Sequence, residues 1–166
     1  MNKSIISISL LFLLLFTGCG LFSGGTPTVS MSNLDSTFVS GETIGITVNV
    51  EDMKRSIFAM SLRIIYDSEY VGFDDNQSDW IGSIWSDGAI GILKDENSTV
   101  YISITEIAGS NVFKPYGTVL SLDFTLKQSG STQIDFIDDQ IFFYDKNGTE
   151  INLSDINVEG LSITIQ

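Results

Sequence analysis

Apolar and polar residues alternate along most of the chain from about residue 28 onwards. The alternation is clearest in two stretches, Ile44, Ile46, Val48 and Val50, and Phe58, Met60, Leu62, Ile64 and Tyr66. In an extended strand, every second side chain points to the same face. The two stretches therefore predict β-strands that bury one face and expose the other.

Shorter stretches farther along the chain repeat this two-residue period. Their apolar positions are Ile90 and Ile92; Val100, Ile102 and Ile104; Leu120, Leu122, Phe124 and Leu126; and Leu161, Ile163 and Ile165. Turn-forming pairs such as Ser40-Gly41, Asp87-Gly88 and Asn147-Gly148 separate the strands. No segment has the period of a helix, so the pattern predicts an all-β sandwich of about nine strands. We expect the final strand to pair with an early one, because an open sheet edge invites aggregation.

The residues before Cys19 have the composition of a secretory leader. Lys3 precedes an apolar run from Ile5 to Phe16, and the small residues Thr17 and Gly18 follow it. A membrane-spanning helix needs about 20 apolar residues, so this run is too short to be one. The sequence predicts export of the protein and removal of residues 1–18.

Cys19 is the only cysteine of the chain, and it directly follows the leader. The four residues Phe16-Thr17-Gly18-Cys19 resemble the lipobox of bacterial lipoproteins. The resemblance implies that the Cys19 sulfur carries diacylglycerol, becomes the first residue of the mature chain and anchors it to a membrane. We expect the outer membrane or the cell surface as its location. The alternative is an ordinary leader followed by a free thiol, which is a liability in an oxidising compartment.

The mature chain has room for one domain. Residues 19–27 contain Ser23-Gly24-Gly25-Thr26-Pro27, a composition typical of a flexible tether, and residues 28–166 are enough for a single core. The net charge of the whole chain is −13, and it becomes −14 once Lys3 leaves with the leader. An acidic surface repels nucleic acid and anionic lipid. We therefore expect no nucleic-acid partner, and the lipid on Cys19 must hold the protein on the membrane.

Several motifs occur in an order that matches one known family. They are Val39-Ser40-Gly41-Glu42-Thr43-Ile44, Tyr66-Asp67, Val71-Gly72-Phe73, the strand from Thr99 to Glu106, Gly117-Thr118-Val119-Leu120, the segment from Asp145 to Ile151 and the closing strand from Leu161 to Ile165. In this order they resemble a cohesin domain that extends from about Val29 to Ile165. The resemblance implies a jelly-roll β-sandwich of about nine strands, a fold shared with carbohydrate-binding modules.

The resemblance also implies a partner. Cohesins bind dockerins, which are small, calcium-loaded helical domains carried by polysaccharide-degrading enzymes. Calcium is therefore expected on the dockerin partner, and no cofactor is expected on this chain. The implied role is to recruit a dockerin-bearing enzyme to the cell envelope.

In the family, the dockerin lies across one flat sheet face. The positions that the resemblance assigns to this face are Ala59, Ser61, Arg63, Tyr101, Ser103 and Thr105, with Lys94 near the rim. Ala, Ser and Thr side chains project little, so a partner helix could pack close to the sheet while Tyr101 supplies an aromatic anchor. The alternative is an exposed sheet of small residues that has no partner.

Trp80 and Trp85 support a second interpretation. They flank a segment without clean alternation, Ile81-Gly82-Ser83-Ile84. Aromatic rings stack on the apolar faces of sugars, so the two tryptophans are candidates for direct binding of a polysaccharide by the same sandwich. The alternative for both rings is that they cover the core at a loop. A third class of function, an envelope structural or adhesive lipoprotein, requires neither the sheet face nor the tryptophans.

Metal binding and catalysis have little support in the sequence. Acidic groups occur at Asp74-Asp75-Asn76 with Asp79, at Asp138-Asp139, and at Asp145 with Asn147 and Glu150. Calcium prefers such oxygen ligands, but solvated loops, and a hairpin turn at Asn147-Gly148, explain the groups better, so we assign no metal site. The chain has no histidine, and its one thiol is the expected lipidation site. We therefore predict a protein that is not an enzyme.

Overall fold

The computed structural model describes residues 25–33, 37–107, 114–152 and 156–166. In chain order its strands are β1 (Thr28–Asn33), β2 (Thr43–Glu51), β3 (Ala59–Tyr66), β4 (Val71–Phe73), β5 (Ile90–Glu96), β6 (Thr99–Thr105), β7 (Gly117–Leu126), β8 (Gly130–Phe136), β9 (Phe142–Tyr144), β10 (Asn157–Glu159) and β11 (Leu161–Ile165), with a 3₁₀ turn at Asp138–Gln140. No helix long and apolar enough to cross a membrane occurs in this part of the chain. The predicted leader, residues 1–18, and the predicted lipidation site Cys19 lie outside the described residues.

The strands form two sheets that face each other. The five-stranded sheet has the order β10-β1-β2-β7-β4, and the six-stranded sheet has the order β11-β8-β3-β6-β5, with β9 also paired to β3. β8 and β9 share one side of β3, because β8 pairs with residues 64–66 and β9 with residues 59–61. The all-β sandwich predicted from the alternating pattern is confirmed.

The core fills the space between the sheets with the side chains that the alternation predicted. Both sheets contribute fully buried residues, among them Ile46, Val48, Val50, Leu62, Ile64, Ile102, Leu120, Leu122 and Phe124. Burial of one such side chain contributes about 1.5–3 kcal/mol to the hydrophobic term. Because these residues point inward, the residues that alternate with them lie on the outer faces of the sheets.

The face of strand β5 that points to the core is the opposite of the predicted one. The alternating pattern predicts Ile90 and Ile92 in the core, but these side chains are 59% and 68% exposed. Gly91 faces inward between them, and a Cβ built on it would lie only 2.5 Å from Cη2 of Trp80. The Trp80 ring therefore covers this edge of the core in place of a β5 side chain, which leaves the two isoleucines on the outer face.

The late strands also differ from the prediction. The final strand β11 pairs with β8 and meets the early chain at a bridge between Phe38 and Ile165, so the expected pairing with an early strand is wrong for most of its length. It is β10 that pairs with the first strand, in parallel. The described residues form eleven strands, more than the predicted count of about nine, because β4, β9 and β10 have three residues each and are too short to show a period.

Candidate functional site

The structure brings all seven predicted face residues together on the outer side of the six-stranded sheet. The pairs that lie directly opposite each other are Ala59 and Thr105, Ser61 and Ser103, Arg63 and Tyr101, and Tyr101 and Lys94. The residues between them on β3 and β6, such as Leu62 and Ile102, are buried in the core. The two-residue period that predicts the strands thus also places these side chains on one surface.

Two rows of residues cross this face from β9 to β5. The first row is Tyr144, Ala59, Thr105 and Ile90, and the second is Phe142, Ser61, Ser103 and Ile92. In both rows, two small side chains lie between an aromatic residue on β9 and an isoleucine on β5. We call the strip of small residues between these borders the trough. Neighbouring strands are about 4.8 Å apart, so the borders are about 14 Å apart, which accommodates one helix of about 10–12 Å diameter.

The borders of the trough are residues that the sequence reasoning did not assign to the face. Phe142 and Tyr144 are half-buried and face outward, because Phe143 between them is fully buried. Their orientation was ambiguous in the sequence, since several successive residues there are apolar. Gly91 is the sequence signal for the outward position of Ile90 and Ile92, because a glycine within a strand marks close approach by another group.

Beyond the trough, the next row of the face is polar and charged. The guanidinium carbon of Arg63 lies 4.8 Å from the centre of the Tyr101 ring, within the range of a cation–π attraction. Lys94 Nζ donates a hydrogen bond of 2.9 Å to Glu96 Oε2, and both side chains are more than half exposed. The hydrogen bond and the opposite charge raise the pKa of Lys94 and lower the pKa of Glu96. Such an exposed pair adds little to stability, so its groups are available to a partner.

The two tryptophans do not have equal access to solvent. Trp85 is 5% exposed and belongs to the core, and its Nε1 donates a hydrogen bond of 2.8 Å to the Val119 carbonyl. The expectation that Trp85 offers a ring face to a sugar is therefore wrong. Trp80 is half-buried and packs beside Gly91. Both rings line a depression of about 830 Å³, but Trp80 is the one that exposes more of its surface there.

Acidic side chains in two of the predicted clusters act within turns. Asp74 Oδ1 accepts hydrogen bonds of 2.9 and 2.8 Å from the backbone N–H and the side-chain amide of Asn76. Asp145 Oδ1 accepts bonds of 3.0 and 2.8 Å from the backbone N–H groups of Thr149 and Asn147. These hydrogen bonds lower the pKa of both carboxyl groups. Among the described residues, no group of three or more His, Cys, Asp or Glu side chains lies close enough to hold a metal ion.

A hydrogen-bonded pair lies at the end of the core where β3 ends. The Tyr66 hydroxyl donates a bond of 2.7 Å to Asp95 Oδ2. Burial, together with this hydrogen bond and the negative charge of Asp95, raises the pKa of Tyr66 far above its usual value, so the ring stays neutral. The pair joins β3 to the inner side of β5 and thus helps to hold β5 in the orientation that exposes Ile90 and Ile92.

Comparison with known proteins assigns the fold independently. A model of the cohesin domain family matches residues 29–160, and no curated protein sequence matches the chain. Similar solved structures include a type II cohesin–X-dockerin complex from Acetivibrio cellulolyticus, with 16% identity and a TM-score of 0.72 over 84% of this chain and 99% of that chain.

Two further structures come from other organisms. Type II cohesin A11 from Bacteroides cellulosolvens has 14% identity and a TM-score of 0.73 over 84% of this chain and 99% of that chain. A non-cellulosomal cohesin from the hyperthermophilic archaeon Archaeoglobus fulgidus has 15% identity and a TM-score of 0.66 over 86% of this chain and 92% of that chain. At these identities, the structural likeness concerns the fold alone.

Proposed function

This chain belongs to the cohesin domain family, and on that premise we propose that it is a non-catalytic module that binds a dockerin-bearing protein on the outer face of its six-stranded sheet. The observation that carries the proposal is the trough, which Phe142 and Tyr144 border on one side and Ile90 and Ile92 on the other. One of the similar solved structures is itself a complex of a cohesin with an X-dockerin. The partner chemistry that fits the trough is a helix with an apolar face.

The exposed apolar surface at the border of the trough favours binding of a partner there. Ile90 and Ile92 are 59% and 68% exposed, and burial of an aliphatic side chain contributes about 1.5–3 kcal/mol. The floor of Ala59, Ser61, Ser103 and Thr105 lets the backbone of a helix approach closely. A helix in the trough would therefore cover both isoleucines while it packs on the floor.

The charged row gives the docked helix a direction. Arg63 and Lys94 lie beside Tyr101 at one end of the trough, on a chain whose net charge is −13. An acidic side chain or a helix C-terminus of the partner is stabilised by these cations. We therefore expect one preferred orientation, with the negative end of the helix near Arg63.

Calorimetric titration of residues 27–166 with dockerin modules from the same organism tests the proposal. We expect Ile92→Asp to weaken binding at least about tenfold, a loss of about 1.4 kcal/mol, because the partner would strip water from a charged group. Ser103→Arg, which fills the trough, should weaken binding to a similar extent. Tyr101→Ala removes the aromatic anchor and should also weaken it.

Val39→Asp is the matched control for Ile92→Asp. Val39 is 43% exposed but lies in the loop before β2, outside the face, so this variant should bind as the unchanged domain does. Chelation of calcium should abolish binding through the dockerin. If no dockerin binds, or if Val39→Asp weakens binding as much as Ile92→Asp, the proposal is wrong.

The same set of proteins tests the rival functions. Direct polysaccharide binding should be lost in Trp80→Ala and kept in Ile92→Asp. A structural or adhesive lipoprotein should bind neither class of ligand, whichever variant is used.

We also propose that Cys19 carries the membrane anchor and that the docked partner is a polysaccharide-degrading enzyme held at the cell envelope. The support for the anchor is the lipobox resemblance of Phe16-Thr17-Gly18-Cys19. The tether of residues 19–27 spans at most about 30 Å, at about 3.3–3.6 Å per residue. The enzyme would therefore work within a short distance of the membrane.

A further inference from the structure

One five-residue pattern occurs four times in the domain. It is an acidic residue, any residue, Asn, any residue and then Ser or Thr, as in Asp74-Asp75-Asn76-Gln77-Ser78, Asp95-Glu96-Asn97-Ser98-Thr99, Asp145-Lys146-Asn147-Gly148-Thr149 and Glu150-Ile151-Asn152-Leu153-Ser154. The last three residues of each copy form the acceptor motif for N-linked glycans. All four acceptor motifs within residues 28–166 have an acidic residue two positions before the Asn.

Three of these motifs lie wholly within the described residues, and their asparagines are exposed in turns. Asn76 lies in the turn after β4, and Asn147 lies in the turn after β9. Asn97 lies in the hairpin between β5 and β6, where its φ of 54° and the φ of 59° at Ser98 form a tight turn. Exposed turns of an exported protein are the surroundings in which this acceptor motif is read.

Hydrogen bonding explains the acidic residue but not the hydroxyl residue. Asp74 and Asp145 accept the backbone N–H of Asn76 and Asn147, and Asp95 accepts the Tyr66 hydroxyl, so hydrogen bonds account for the acidic residue in each of these three motifs. The hydroxyl groups of Ser78, Thr99 and Thr149, by contrast, form no hydrogen bond with other described residues. No hydrogen bond among the described residues therefore requires a hydroxyl group at these places, whereas glycan transfer does.

We propose that Asn76, Asn97 and Asn147 are acceptors for N-linked glycans. In the reaction, the asparagine Nδ2 forms a bond to the anomeric carbon of a sugar carried on a polyprenyl diphosphate. The bond from that carbon to the diphosphate oxygen breaks, the carrier leaves with the electron pair, and the amide proton passes to a base of the transferase. The proposal rests on the predicted export, because the donor and the transferase are met at a membrane.

The acceptor positions are compatible with a docked partner. Asn97 lies in the hairpin at the end of β5, and Asn147 follows β9, so both lie outside the two rows that form the trough. Glycans at these places would border the binding face without covering its floor.

Peptide mass spectrometry of the protein purified from the organism that makes it tests the proposal. We expect a carbohydrate mass, located at the asparagine by fragmentation, on the peptides that contain Asn76, Asn97 and Asn147. Asn157 is an internal control, because it is exposed and follows Asp155 by two positions but has Glu159 where the hydroxyl residue would be. Recovery of all three motif peptides in the unmodified form only would overturn the proposal.

Variants of the hydroxyl residues, expressed in the same organism, make the test specific. Thr99→Ala and Thr149→Ala should each remove one glycan mass, whereas Thr99→Ser and Thr149→Ser should keep it. Because these hydroxyls have no partner among the described residues, the melting temperature should change little in the alanine variants. Glycans that persist in both alanine variants would contradict the acceptor motif. Dockerin binding is tested separately, on protein made without glycans. A failure to bind dockerin would therefore not change the outcome of the mass spectrometry.

Discussion

The Tyr66 side chain closes one end of the core, and no local sequence pattern predicts its hydrogen-bond partner. The Tyr66-Asp67 step was visible in the sequence, but the partner of the hydroxyl is Asp95, 29 residues away, at 2.7 Å. The ring also meets Phe124 edge-on, with 5.6 Å between the ring centres. Asp95 Oδ1 is buried and makes no hydrogen bond with the described residues. The carboxylate therefore depends on the hydrogen bond that the Tyr66 hydroxyl donates to Oδ2.

Removal of the Tyr66 hydroxyl should therefore destabilise the domain. We expect Tyr66→Phe to lower the free energy of unfolding by about 1–3 kcal/mol, because Asp95 Oδ2 loses its donor at a partly buried place. Denaturation with urea measures the change. Tyr70→Phe is the control, since the Tyr70 hydroxyl has no hydrogen bond to another described residue. The double variant Tyr66→Phe/Asp95→Leu should recover part of the loss, and a double variant no more stable than Tyr66→Phe would contradict this account.

The same hydroxyl makes stability depend on pH in the alkaline range. The folded pKa of Tyr66 is raised above its ordinary value of 10.0, so the unfolded chain ionises first as the pH rises. The contribution of Tyr66 is fully present below about pH 10 and is lost as the pH rises above it. Unfolding free energies measured from pH 8 to pH 11 should decline less steeply for Tyr66→Phe than for the unchanged protein.

Among the elements, β5 shows where a two-residue period is not sufficient. Ile90 and Ile92 alternate with Gly91 and Leu93, so the pattern alone allows either set to face the core. The register with β6 and the ring of Trp80 beside Gly91 decide the outcome. Neither contact is contained in the two-residue period of β5 itself, so Gly91 is the only signal within the strand for its orientation, and with it for one border of the trough.

Two glycines in strands should respond to substitution with opposite signs. Gly91→Ala places a Cβ 2.5 Å from Cη2 of Trp80, so we expect it to lower the free energy of unfolding by about 1–3 kcal/mol through overpacking. Gly45→Ala is the matched variant in β2, where the nearest atom is Asp123 Oδ1 at 3.5 Å. We expect it to raise stability by about 0.5–1 kcal/mol. Equal effects of the two variants in urea denaturation would contradict the role assigned to Trp80.

For the molecule as a whole, the sandwich, its buried face and the position of the seven face residues could be predicted from the sequence. They follow from a period of two along single strands, as in Ile44 to Val50 and Met60 to Ile64. The pairing of β11 with β8 and the outward position of Phe142 and Tyr144 could not, because they are set by contacts between distant strands. Export and lipidation concern residues outside the described part of the chain and stay predictions.

Cell fractionation tests the anchor directly. We expect the unchanged protein in the membrane fraction and Cys19→Ser in the soluble fraction, because anionic lipid repels a chain with a net charge of −14 after removal of Lys3. Incorporation of a labelled fatty acid should be lost in the same variant. Thr17→Ser keeps a small residue before the cysteine and serves as the control. Membrane retention of Cys19→Ser would show that the anchor lies elsewhere.

The place where the chain joins the sandwich has a mechanical consequence. Thr28 begins β1, which lies between β2 and β10 in the sheet that does not carry the trough. If the tether is held at the cell and a docked enzyme is pulled by its substrate, the tension runs along β1 and across the core. β1 would then have to slide lengthwise past six register pairs with β2 and three with β10. In the antiparallel pairing of β1 with β2, the hydrogen bonds lie perpendicular to the strands and resist such sliding together rather than one after another, so the domain is suited to withstand a steady pull.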